Sequence, residues 1–181
     1  MTPGLTGNLS TTVSGLTGVT PTADSVATSA FDAENPAVDA GTKVYHVTVP
    51  AGTRAARFSL DANDDTADLD LYAYLDGELV ALSASGAADE QVTMLDPAEG
   101  TYDVYVNGFS TPGGSTGYGL ANFVVDAAAA GNASVTPNPA AVTQGVDTTL
   151  TATWTGLDPA KRYFGVINYA GTTSFTYLSV G

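Results

Sequence analysis

Short segments in which apolar and polar residues alternate recur along the whole chain, separated by Gly, Pro, Asp and Asn. A period of two residues is typical of a half-buried strand, because successive side chains of a strand point to opposite sides of the sheet. No stretch of twelve residues shows the 3.6-residue period of an amphipathic helix. The pattern therefore predicts an all-β protein, with strands at residues 8–13, 43–49, 55–60, 69–75, 78–82, 91–95, 101–106, 118–125, 148–154, 163–169 and 174–180.

The same alternation assigns faces to the central strands. The side chains predicted to be buried are Tyr45, Val47, Val49, Leu69, Leu71, Ala73, Leu75, Tyr102, Val104 and Val106. Those predicted to face away from this core are Asp70, Tyr72, Tyr74, Asp103 and Tyr105. Between two of the strands, Asp76-Gly77 predicts a tight hairpin, because Asp-Gly readily adopts the positive φ angles of a type I′ turn.

The charge of the chain excludes several kinds of partner. Nineteen acidic residues against five basic ones give a net charge of −14, which repels nucleic-acid backbones and anionic membranes. The absence of cysteine excludes disulfides and thiolate metal sites. No apolar run approaches the ~20 residues of a membrane-spanning helix. Met1–Gly4 has neither the charged start nor the apolar stretch of a signal peptide, so we expect an internal fragment of a longer protein.

The charge also divides the chain. Residues 1–128 hold 17 acidic and three basic residues, whereas residues 129–181 are neutral in sum. Residues 127–132 have no large apolar side chain to bury, and we interpret them as a linker. The segments Leu9–Leu16 and Leu150–Leu157 share a Thr-rich pattern, which indicates either a chance likeness or a strand from a related domain at the start of the chain.

Residues 41–126 resemble the bacterial pre-peptidase C-terminal domain. The resemblance rests on the strand Tyr45–Val49 followed by Pro50-Ala51-Gly52-Thr53, on Asp68-Leu-Asp-Leu-Tyr72, and on Gly100-Thr-Tyr102. It implies a jelly-roll-like β-sandwich of the kind that follows the catalytic domain of secreted peptidases. We therefore expect residues 21–127 to form this sandwich.

Residues 133–181 resemble part of a fibronectin type III or immunoglobulin-like sandwich. Leu157-Asp-Pro159 followed by Tyr163 matches that family's corner, in which the tyrosine hydrogen-bonds the preceding backbone. The resemblance also implies that Trp154 is a core residue. Because 49 residues are about half of a full sandwich of ~100, either this domain is minimal or a strand from residues 1–20 completes it.

Catalysis by this chain is not expected. A serine-peptidase triad needs a His beside a nucleophilic Ser, and the one histidine, His46, lies within a predicted strand. No Gly-x-Ser-x-Gly nucleophile turn is present. We interpret His46 as a structural, solvent-facing residue.

An acidic stretch is the candidate metal site. Asp61, Asn63 and Asp65 have the spacing of the first ligands of an EF-hand loop, and Asp68 and Asp70 follow them. The rest of that pattern is missing, since Thr66 replaces the turn glycine. The resemblance adds a second set of candidate ligands near the start of the domain, Asp32, Glu34, Asn35 and Asp39. The sequence thus predicts a calcium site, or else an acidic turn that caps its own backbone.

Three outward tyrosines are the candidate ligand-binding residues. Tyr72, Tyr74 and Tyr105 share a register and could present an aromatic platform to a sugar or a peptide. The alternative is that they pack beneath a covering loop or a neighbouring domain.

The arrangement of the two modules is similar to the C-terminal region of secreted actinobacterial subtilisin-like serine peptidases. It implies an extracellular bacterial accessory module without an active site, whose partners are the parent's catalytic domain and a protein or polysaccharide substrate. Such a module would aid secretion, stability or targeting. The alternative is a carbohydrate-binding or adhesive β-sandwich.

Overall fold

A computed structural model describes all 181 residues of the chain. It contains strands and no helix, which confirms the all-β prediction, and accordingly no helix that could cross a membrane is present. The strands are β1 (Gly7–Leu9), β2 (Thr11–Val19), β3 (Thr22–Ala27), β4 (Thr42–Val49), β5 (Thr53–Ala62), β6 (Asp68–Leu75), β7 (Glu78–Ser83), β8 (Glu90–Leu95), β9 (Gly100–Ser110), β10 (Ser115–Asp126), β11 (Ala133–Thr136), β12 (Ala140–Val142), β13 (Thr151–Trp154), β14 (Arg162–Tyr169) and β15 (Phe175–Val180).

The strands fall into two compact units. The first, here called the sandwich unit, is Val19–Val124. The second, here called the composite unit, joins Met1–Gly18 to Val125–Gly181. The beginning of the chain therefore belongs to the same unit as its end.

The sandwich unit consists of two four-stranded sheets with the orders β3-β10-β5-β8 and β4-β9-β6-β7. Their apolar faces share one core, to which both sheets contribute fully buried side chains such as Phe58, Leu71 and Val104. The inward faces predicted for β4, β6 and β9 all supply residues that are buried in this core or packed against it. The Asp76-Gly77 hairpin is also confirmed, with φ angles of 51° and 82°.

Two features of the sandwich unit position the site described below. Strand β3, which the sequence pattern did not predict, pairs antiparallel with β10 and buries Val26. After β3, residues 28–41 form a loop without a strand, and its Phe31 and Ala33 contact β6. We call residues 28–41 the covering loop.

In the composite unit, β1 and β2 complete the sheets of the C-terminal strands. Strand β1 pairs antiparallel with β12, and β2 lies beside β14 in the order β15-β14-β2. The side-chain amide of Asn132 accepts from the Leu16 amide and donates to its carbonyl, at 2.9 and 3.0 Å. The segment interpreted as a linker is therefore bound to β2 at its end.

The structure supports one expectation for the corner residues of the composite unit and corrects another. The amide of Asp158 donates to the Tyr163 hydroxyl at 2.7 Å, which is the expected bond to the preceding backbone. The expectation that Trp154 lies in the core is wrong, because its side chain is 42% exposed. Trp154 is the last residue of β13, and Ala152, two residues earlier, makes the core contact instead.

Candidate functional site

A cavity of about 430 Å³ lies on the sandwich unit beside strand β6. Its walls come from the covering loop, from β6, from the loop after β7 and from the end of β9. The residues that line it are Ala30, Phe31, Asp68, Asp70, Tyr72, Ala84, Ser85, Gly86 and Phe109. No basic side chain is among them.

The two-residue period of β6 brings the polar wall together. Asp68, Asp70 and Tyr72 follow at every second position, so all three side chains leave the same face of the strand. The alternation predicted this shared direction for Asp70 and Tyr72. It did not predict that Asp70 would be buried, with only 6% of its surface exposed.

A β-bulge positions Phe109, which forms part of the apolar wall of the cavity. Asp68 pairs with Ser110 but Leu69 pairs with Gly108, so Phe109 has no partner on β6. Bulges of this kind redirect a side chain at the edge of a sheet, and Phe109 is 61% exposed. Sequence reasoning missed Phe109 because the predicted strand ended at residue 106, although Gly108 within the longer observed strand is a known signal of a bulge. A Cβ at Gly108 would lie 2.3 Å from the carbonyl oxygen of Ala27.

The carboxylates at the cavity are poorly compensated. Oδ1 of Asp68 is inaccessible to solvent and has no hydrogen-bond partner. Oδ2 of Asp70 accepts from the Tyr72 hydroxyl at 3.0 Å. Close behind, buried Glu90 accepts from the hydroxyl of Ser83 and from the amide of Ser85, the latter at 2.8 Å.

This setting perturbs the titration of the site. Burial raises the pKa of Asp70 above its ordinary value, and the bond from Tyr72 opposes the rise without cancelling it. The neighbouring charges of Asp68 and Glu90 raise the pKa of Asp70 further. The Tyr72 hydroxyl also has a raised pKa, through burial and then through its bond to Asp70. The carboxylates of Asp68 and Glu90 thus add a negative potential at Asp70, and a negative potential favours a cation.

The predicted tyrosine platform is partly covered, with Tyr74 buried and Tyr72 and Tyr105 half-buried. The ring of Phe31 stacks on Tyr72, and it also contacts Tyr105 with the ring centroids 5.7 Å apart. Tyr74 is buried, and its hydroxyl donates to the carbonyl of Ala33 at 2.8 Å. The covering loop thus packs over the three rings, and only Tyr72 lines the cavity. A ligand-binding role for the tyrosines remains a prediction.

The predicted calcium ligands lie in separate parts of the structure. No group of three or more carboxylate or imidazole side chains is arranged to hold a metal ion. Asp68 and Asp70 line the cavity, whereas Asp61, Asn63 and Asp65 do not. In the acidic turn, Asp64 accepts from the amide and the hydroxyl of Thr66, and these bonds lower its pKa.

The second candidate calcium set is likewise engaged with its own backbone. Asp32 accepts from the amides of Glu34 and Asn35, and Asp39 accepts from the amide of Gly41. These bonds match the alternative in which acidic residues cap turns. Calcium binding by either set remains a prediction.

His46 lies where the sequence placed it, on β4. Its Nδ1 is 2.7 Å from Oδ1 of Asp103, its register partner on β9. The two side chains are 67% and 41% exposed, so the contact is a cross-strand surface pair.

Comparison with known families gives a match, which falls within the sandwich unit. Residues 41–108 match the profile of the family described as bacterial pre-peptidase C-terminal domain. The match runs from the start of β4 into β9 and includes Asp68, Asp70 and Tyr72, but neither Phe31 nor Phe109. This confirms the resemblance for that segment. Among curated proteins, no match to the chain was found.

Proposed function

We propose that the chain is a non-catalytic accessory module of a secreted bacterial subtilisin-like serine peptidase. The observation that carries the proposal is the match of residues 41–108 to the pre-peptidase C-terminal family, a non-catalytic domain of secreted bacterial proteins. In this function the module aids secretion of the parent, stabilises it or holds it against a protein substrate.

The surroundings of His46 support a non-catalytic role. In a serine-peptidase triad, a buried carboxylate orients the histidine beside the nucleophile. Asp103 is instead 41% exposed, and a surface pair of this kind contributes little energy and does not fix a ring. The hydrolytic machinery would therefore lie in another part of the parent.

We also propose that the composite unit is an immunoglobulin-like β-sandwich and serves as a second accessory module. Support comes from the bond between Asp158 and Tyr163, and from the pairing of β2 beside β14. Strands β1 and β2 add to residues 133–181 the further strands that a sandwich requires.

The proposal is tested by sequencing the gene upstream and downstream of the codons for residues 1–181. We expect one open reading frame that also encodes a serine-peptidase catalytic domain and a secretion signal. A frame that encodes no peptidase would overturn the proposal.

A carbohydrate-binding function is the second candidate, and one observation favours it. Phe109 is an exposed aromatic residue at the mouth of a cavity that also contains hydrogen-bond acceptors, and aromatic residues beside acceptors suit sugar rings. Co-sedimentation of the full chain with insoluble chitin, cellulose and collagen separates the two functions. Retention on a polysaccharide that Phe109→Ala abolishes would favour the second candidate, and retention on collagen alone the first.

A further inference from the structure

We propose that the cavity formed by Phe31, Asp68, Asp70, Tyr72, Ser85 and Phe109 is a binding site for an arginine side chain of a protein partner. The guanidinium group would lie between the carboxylates of Asp68 and Asp70, with the aliphatic stem against the aromatic wall. The biological setting, a protein partner, rests on the function proposed above, whereas the binding chemistry rests on the cavity alone.

The first argument is the uncompensated negative charge. Oδ1 of Asp68 is buried without any hydrogen-bond donor, an arrangement that is costly unless a ligand supplies one. Asp70 is 6% exposed, and its Oδ2 accepts a hydrogen bond from the neutral hydroxyl of Tyr72. A cation placed between them would gain two charge-assisted hydrogen bonds.

The second argument is the spacing of the two carboxylates. Asp68 and Asp70 are two residues apart on one strand, which places them roughly 7 Å apart along β6. A guanidinium donates from two edges of a planar fork and can bridge carboxylates at this spacing, whereas an ammonium is a compact point charge.

The third argument is the apolar wall. Phe31, Tyr72 and Phe109 border the same cavity, and Ala30, Ala84 and Gly86 add small apolar surface. Aromatic rings attract the guanidinium, and the stem of arginine buries well against apolar atoms.

These features favour an organic cation over a metal ion. A volume of about 430 Å³ exceeds what a bare ion requires, and no third carboxylate or imidazole converges with the first two as a ligand set. The charge of the whole unit assists the encounter, since residues 19–124 hold sixteen acidic and three basic residues.

The test is a titration of the ¹⁵N-labelled full chain with N-acetyl-arginine amide, followed by NMR. We expect saturable shifts of the amide signals of Ser85, Gly86 and Phe109. N-acetyl-citrulline amide has the same shape without the charge, and we expect it to bind at least tenfold more weakly. Citrulline binding as tightly as arginine, or arginine shifting only signals remote from the cavity, would overturn the proposal.

Variants sharpen the test. Asp68→Asn should weaken arginine binding about tenfold or more, because it removes a charge-assisted hydrogen bond. Glu99→Gln, an exposed residue, changes the net charge equally and should leave binding unchanged. Phe109→Ala removes an exposed side chain without opening the core, and should weaken binding severalfold. Unchanged affinity in both Asp68→Asn and Phe109→Ala would overturn the proposal.

A parallel titration with CaCl₂ completes the design. Shifts of the cavity amides with calcium, lost in Asp68→Asn and unmatched by any response to arginine, would assign the site to a metal and overturn the inference. The outcome is separable from the proposed function, because reading the gene tests the peptidase parent and the titration tests only the cavity.

Discussion

The ring of Phe31 stacks on the ring of Tyr72, with centroids 4.1 Å apart and 22° between the planes. This contact holds the middle of the covering loop against β6, and the bond from Tyr74 to Ala33 holds it two residues further on. The loop itself has no strand pairing across this part. The Phe31 wall of the cavity is therefore held by this ring contact and by hydrogen bonds on either side of it, from Tyr74 to Ala33 and from Ser29 to Gly108.

Removing the Phe31 ring should loosen that wall. We expect Phe31→Ala to lower the free energy of unfolding by about 1–3 kcal/mol, because it removes a stacked pair and its buried area. Urea denaturation measures the change. Phe109→Ala, whose ring is 61% exposed, is the matched control and should cost less than about 0.5 kcal/mol. Equal losses in the two variants would contradict the packing described for the loop.

Neutralising Asp70 should stabilise the protein at neutral pH. Burial raises the pKa of Asp70 in the folded state above its ordinary value of 3.8, so the folded state binds this proton more tightly than the unfolded state. The contribution of Asp70 to the free energy of unfolding is therefore fully present below pH 3.8. It is lost as the pH rises through the pKa of the folded state.

Asn at position 70 keeps an acceptor for Tyr72 and carries no charge. We therefore expect Asp70→Asn to melt at a higher temperature than the wild type at pH 7 and to show no gain at pH 3. Glu99→Gln, on the exposed surface, provides the control for net charge. A lower melting temperature of Asp70→Asn at pH 7 would show that its carboxylate is compensated.

Alkaline pH should destabilise the sandwich unit through a tyrosine pair. The hydroxyl oxygens of Tyr45 and Tyr118 are 2.6 Å apart, and Tyr45 also donates to Asp24 at 3.0 Å. Burial raises the pKa of Tyr45 to about 12 and raises that of Tyr118 as well.

Between the ordinary tyrosine pKa of 10 and about 12, the unfolded state releases protons that the folded state retains, so stability falls as the pH rises. Absorbance at 295 nm and far-UV circular dichroism, recorded together from pH 9 to 12.5, measure this. All nine tyrosines titrating near pH 10 in a folded chain would contradict the buried pair.

The N-terminal strands should prove essential to the C-terminal ones. Leu16 on β2 is 2% exposed, and we expect Leu16→Ala to destabilise the composite unit by about 2–5 kcal/mol. Hydrogen exchange of the β14 amides should accelerate accordingly. Thr12→Ala, at an exposed position of the same strand, should change exchange little. Unaltered hydrogen exchange of the β14 amides in Leu16→Ala would contradict a stabilising contribution of β2 to that sheet.

Two-residue alternation carried most of the fold prediction, because it reports directly on which face of a strand is buried. It placed Leu69, Leu71 and Val104 in the core, and all three are fully buried. It could not identify β3, whose sequence Thr22–Ala27 has one large apolar residue, Val26, and depends on pairing with β10.

The cavity was harder to predict, for a physical reason. Alternation gives the side of a sheet on which a residue lies but not whether a distant loop covers that side. Asp70 and Tyr74 were assigned to the outward face, yet both are buried, and Tyr74 donates a hydrogen bond to Ala33 of the covering loop. Phe31 joins the site through a non-local ring contact that no local pattern encodes, and Phe109 through a bulge that lies beyond the predicted end of its strand.

The function proposed above is that this chain assists a peptidase without catalysing hydrolysis. It is tested most directly by comparing the secreted parent peptidase with and without residues 1–181. The account predicts an unchanged kcat/KM for a short soluble peptide, together with reduced secreted yield, stability or degradation of an insoluble protein. Hydrolysis of that peptide by the isolated chain, or loss of peptide hydrolysis in the folded remainder of the parent, would contradict the account.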